Sequence, residues 1–65
     1  MKTEKRKAHN QSIYSMNSFL KKVMTKMERG STLYANLDPL GTLTLTTNSK
    51  VALDAFDQDF SNNEN

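Results

Sequence analysis

His9 is the only histidine of the chain, and therefore the only side chain whose ordinary pKa suits proton transfer near neutrality. It follows the basic run Lys5-Arg6-Lys7, with no carboxylate spaced to orient it, so it reads as a solvated surface residue and not a general base. Serines and aspartates are plentiful. A nucleophilic serine, however, needs a sharp elbow and a histidine relay, and neither a Gly-x-Ser-x-Gly run nor a second histidine is present. The absence of cysteine removes thiolate nucleophiles, disulfides and cysteine-ligated zinc together. Gly30 and Gly41 are the only glycines, too few for a loop that cradles phosphate. Asp54, Asp57 and Asp59 lack the glycine and distal glutamate of a calcium loop and fall in a helical pattern, which makes them an acidic surface. Asn10-Gln11-Ser12 is a glycosylation acceptor only in a secreted chain. No catalytic residue, cofactor or metal is expected, which points to a binding protein and not an enzyme.

Charge supplies one candidate binding surface. Net charge is +2, but residues 1–30 hold eight Lys or Arg against two Glu, while residues 31–65 hold Lys50 against four Asp and Glu64. Lys2, Lys5, Arg6 and Lys7 could each neutralise a phosphate, and Lys22, Lys26 and Arg29 could extend the footprint along a helix. No aromatic is interleaved with these residues, so backbone contact to DNA or RNA without base stacking is the expectation. The competing reading is a solubilising arm and an ordinary solvated helix face.

Apolar periodicity supplies the second candidate. Ile13, Met16, Leu20, Val23 and Met27 repeat at spacings of 3, 4, 3 and 4, and Phe19 and Met24 flank them. At about 100° per residue these seven side chains fall within about 140° of one another. The pattern predicts an amphipathic helix over residues 12–29, capped by Asn10 or Ser12 and ended by Gly30.

Asp38-Pro39-Leu40-Gly41 carries the residue types of a type I turn, with Gly41 completing a three-residue hairpin loop and its bulge. That loop pairs Asp38 with Thr42, Leu37 with Leu43 and Ala35 with Leu45. Leu33, Ala35, Leu37, Leu43 and Leu45 then share one face, and Tyr34, Asn36, Thr44 and Thr46 the other. A two-residue loop would mix the faces. Asn48-Ser49 caps a second helix over residues 50–60, with Ala52, Leu53, Phe56 and Phe60 on one side; Asp57 and Asp59 near its C-terminal end are unfavourable there, so early fraying is expected.

The expected fold is α+β, a small helix–β-hairpin–helix domain over residues 10–60. Residues 1–9 are expected to be a flexible basic arm and residues 61–65 a disordered acidic tail. The first helix covers the leucine face of the hairpin, which makes its stripe mainly core and disfavours a membrane-surface role. The uncharged, strongly β-forming run from Thr42 to Thr47 is left as a bare edge that invites pairing. Thr42, Thr44, Thr46 and Tyr34 are accordingly the expected partner-binding residues.

At 65 residues the chain is near the lower limit for independent folding, and no staple is available, so a homodimer is the expected state. The basic run is followed by Ala-His-Asn-Gln-Ser and not by the apolar core of a signal peptide, and a cytoplasmic location is expected. The leading functional expectation is a small regulator or inhibitor that docks stoichiometrically on a larger protein. Nucleic-acid binding through the basic residues is the alternative.

Overall fold

The computed structural model describes residues 2–60. The tail expected over residues 61–65 lies outside the described residues. Five elements follow in the order β1 (Glu4–Ala8), α1 (Ile13–Met24), β2 (Leu33–Leu37), β3 (Leu43–Thr47) and α2 (Lys50–Phe60). The three strands form one antiparallel sheet in the order β1-β3-β2, which places β3 at its centre. This is a split β-α-β arrangement, in which the hairpin's return strand fills the gap between β1 and β2.

The helix–hairpin–helix order is the expected one, and so is the hairpin register. Leu37 pairs with Leu43, Ala35 with Leu45 and Tyr34 with Thr46. Within the turn, Gly41 N–H donates to Asp38 O at 3.0 Å, and Asp38 N–H donates to Thr42 O at 3.1 Å. Gly41 has φ +90°, and a Cβ there would lie 3.1 Å from Gln11 O, so both conformation and space demand glycine. Gln11 N–H donates to Gly41 O at 2.8 Å, tying the start of α1 to the hairpin tip.

Residues 4–8 correct the expected flexible arm. They form a strand whose Glu4, Arg6 and Ala8 pair with Thr47, Leu45 and Leu43. The physical reason is the backbone edge of β3, which would otherwise leave peptide groups without partners beside a buried core. Ala8 is small enough to be buried at the covered face. Arg6 reaches Asp57 of α2 through Nε–H at 3.2 Å and Glu4 through Nη1–H at 3.2 Å.

Helix α1 is shorter than the expected 12–29. Ser12 and Ser15 build a reciprocal capping box at its start, with Ser15 N–H to Ser12 Oγ at 3.2 Å and Ser12 N–H to Ser15 Oγ at 3.0 Å. Its end comes at Met24, where the Thr25 hydroxyl donates to Lys22 O at 3.1 Å and Lys26 N–H bonds back three residues to Val23 O. Gly30 does not cap the helix. It is the third residue of a separate turn closed by Ser31 N–H to Glu28 O, and its φ of +80° is what a type II turn requires there. The stripe is also rotated from its expected centre. Phe19 and Val23 are buried, Met16, Leu20 and Met27 half-buried, and Ile13 and Met24 are 64% and 68% exposed.

The core lies between the helices and one sheet face. Leu43, Leu45, Ala8, Phe19, Val23, Phe56 and Phe60 form it. Phe19 meets Phe56 and Phe60 edge-on with ring centroids 5.5 Å apart in each pair, and Phe56 and Phe60 lie 4.7 Å apart. Helix α2 spans the expected 50–60. Its late acids do not stop it at an earlier turn, because Asp57 meets Arg6 and Asp59 meets Lys22 Nζ at 2.7 Å.

The N-terminus of α2 is capped from two directions. Ser49 Oγ accepts from Ala52 N–H at 3.1 Å and donates to the Glu28 carboxylate, which comes from the loop after α1. The Ser49 hydroxyl is the main cause that holds the Glu28 carboxyl below its ordinary 4.5; its own backbone N–H and those of Val51 and Lys50 add to it. A carboxylate whose folded pKa is lowered stabilises the fold fully above its unfolded pKa, and that contribution is lost as pH falls through the folded value. Glu28→Gln is therefore expected to melt below wild type at neutral pH, with the gap closing as pH falls below about 4.5. A gap in melting temperature that stays constant from neutral to acid pH would contradict this role.

Candidate functional site

The structure disperses most of the residues read as binding residues. Thr42, Thr44 and Thr46 do not line a bare edge, because β3 is paired on both sides. This corrects the expected docking site: β1 already occupies the position a partner strand would take. Thr44 and Thr46 are half-buried on the sheet face away from the helices, and Thr42 Oγ1 lies 3.3 Å from His9 Nδ1. Tyr34 alone of the four is prominent, at 70% exposed.

The basic residues are divided among different surfaces. Arg6 is engaged by Glu4 and Asp57 on the helix side, and Lys22 by Asp59. Lys5 and Lys7 alternate outward onto the open sheet face. Lys2 lies in a cleft with Glu4, Lys50 and Asp54, and Lys26 and Arg29 are exposed beyond the end of α1. One juxtaposition is new. Lys5, Thr46 and Tyr34 form a single cross-strand row, which puts an aromatic ring on the same face as the two lysines.

The sheet's two edges differ in chemistry. In an antiparallel pair, alternate residues exchange both main-chain hydrogen bonds. Since Asp38 bonds to Thr42, the same alternation makes Asn36 and Tyr34 bond inward to Thr44 and Thr46. The N–H and C=O groups of Leu33, Ala35 and Leu37 then point outward, away from β3. Strand β2 reads Leu-Tyr-Ala-Asn-Leu and carries no charge, whereas β1 reads Glu-Lys-Arg-Lys-Ala. Lysines on an edge oppose addition of another strand, and β2 has no such protection.

The β2 edge opens on a groove of about 480 Å³ between the strand and the end of α1, lined by the apolar Leu20, Met24, Met27, Leu33 and Ala35 and, on its loop side, by Glu28 and Ser31. Early termination of α1 creates it: the chain leaves the helix at Thr25, and Met24 is turned out beside the strand. The sequence carried a signal for this edge, the contrast between an uncharged and a charged strand. It becomes readable only once residues 4–8 are recognised as part of the sheet. Among the described residues no group of three or more His, Asp or Glu side chains could hold a metal ion, and no helix is long and apolar enough to cross a membrane. No known protein family, curated protein or solved structure matches this chain.

Proposed function

We propose that this chain is a small, non-enzymatic regulatory or inhibitory protein that docks on a larger protein by taking an extended segment of it along β2. The observation that carries the reading is the uncharged open edge beside a groove lined mainly by apolar side chains. Main-chain bonds to Leu33, Ala35 and Leu37 would supply affinity, and alternate apolar side chains of the segment entering the groove would supply selectivity. Methionines suit such a surface, because their flexible, polarizable side chains adapt to different partners. A cysteine-free chain fits work in the reducing cytoplasm. Phosphate binding by the basic residues is the weaker reading, since Arg6 and Lys22 already have carboxylate partners.

Selection from a displayed library of short peptides tests the proposal. Peptides with apolar residues at alternate positions are expected to be enriched, and Ala35→Pro should weaken the best of them at least tenfold. That substitution removes an outward N–H and costs no bond to β3. Enrichment of no extended peptide, or binding indifferent to Ala35→Pro, would overturn it.

A further inference from the structure

We infer that, without another partner, the β2 edge is closed by β2 of a second copy, giving a two-fold dimer with a continuous six-stranded sheet centred on Ala35. The inference rests on reading β2 as a docking edge, and it names one occupant and a means of regulation. The strand is self-complementary about its midpoint. Antiparallel pairing of two copies sets Ala35 against Ala35, Leu33 against Leu37 and Tyr34 against Asn36. Every one of these matches is consistent in direction. Leu33, Ala35 and Leu37 all present outward main-chain groups, so they form the hydrogen-bonded pairs, and Tyr34 and Asn36 the non-bonded pairs. Facing agrees as well. The Leu and Ala side chains stay on the helix side, where Leu37 of one copy adds apolar surface next to Leu33, Leu20 and Met24 of the other. Tyr34 and Asn36 stay on the open face. The symmetry is that of an isologous interface, in which one patch serves both copies.

The other edge gives the opposite result. Pairing β1 with itself about Arg6 would place Lys5 directly opposite Lys7 at both ends of the contact. Like charges facing one another across strands are destabilising. Of the two edges, only β2 admits a second copy without charge repulsion. A larger partner that adds a strand to β2 must then displace that copy, so self-association sets the concentration of free docking edge.

Sedimentation equilibrium and cysteine crosslinking test the inference. Wild-type protein at high micromolar concentration is expected to show twice the 7.4 kDa chain mass, and Ala35→Pro to fall to the single-chain mass with its circular dichroism retained. The chain has no cysteine, so introduced thiols report cleanly. In the expected register, Ala35→Cys places two thiols across the symmetry axis, with Cα atoms about 5.5 Å apart, within the span a disulfide bridges. Leu33→Cys places them four residues out of register, and should crosslink at least tenfold less. If Ala35→Pro fails to fold, the cysteine pair decides. A single-chain mass for wild type, or crosslinking at position 33 as fast as at 35, would overturn the dimer. A monomer that still selects extended peptides would leave the docking proposal standing.

Discussion

Phe56→Ala is expected to destabilise the fold by about 3–5 kcal/mol, the range for truncating a buried aromatic side chain. Phe56 is 2% exposed and touches two other rings, Phe19 from α1 and Phe60 one turn along α2. Truncation loses its own burial and both ring contacts, and it leaves a void between two helices. At about 0.05–0.15 kcal/mol per residue, a chain of 65 residues has a total stability of only ~3–10 kcal/mol. The variant should therefore be largely unfolded or melt near ambient temperature when followed by circular dichroism. A melting temperature within a few degrees of wild type would mean that the three rings are not the centre of the core.

Val23→Asp and Met24→Asp form the second test, because two adjacent positions should give opposite outcomes. Val23 is 1% exposed within the core, and an aspartate there would be a charge buried in an apolar cluster. Loss of the cooperative melting transition is the expected result. Met24 is mostly exposed at the groove, so Met24→Asp should fold with a melting temperature near that of wild type. It should nevertheless lose binding of β2-directed peptides, since it replaces an apolar wall of the groove with a second carboxylate beside Glu28. If both variants fold, the stripe of α1 is a docking surface and not core. If both unfold, the groove is part of the core and unavailable to a partner.

The parts of this fold that are legible in the sequence are those fixed by local chemistry. Asp38, Pro39 and Gly41 determine the turn, and the turn determines the pairing of Leu37 with Leu43 and the facing of both strands. The span of α2 follows from Ser49 and the spacing of Leu53, Phe56 and Phe60. Strand β1 is not legible in this way, because its core-facing residues are Glu4, Arg6 and Ala8, and no apolar alternation marks them. What makes it a strand is a distant demand, the unpaired edge of β3. The end of α1 is obscured for a related reason. Met27 keeps the apolar spacing and remains half-buried, but it does so from a loop that carries the chain across to β2. The candidate site follows from both: with residues 4–8 read as an arm, the threonine-rich strand is an open edge of the hairpin, whereas in the three-stranded sheet it is central and the uncharged edge is β2.

The placement of β1 has a consequence for how the molecule assembles. The β2–β3 hairpin closes through a three-residue loop, a local contact of the fast-forming kind, whereas Glu4 meets Thr47 only across the whole of α1 and the hairpin. The order of assembly expected from these separations is hairpin first and β1 late. Until β1 arrives, Thr42 to Thr47 is a naked template of leucines and threonines, of the kind on which nascent chains stick to one another. The charged first strand is thus a built-in guard: it covers an uncharged, strongly β-forming segment and makes Lys5 and Lys7 part of the outer edge, where their charge opposes addition of a further strand.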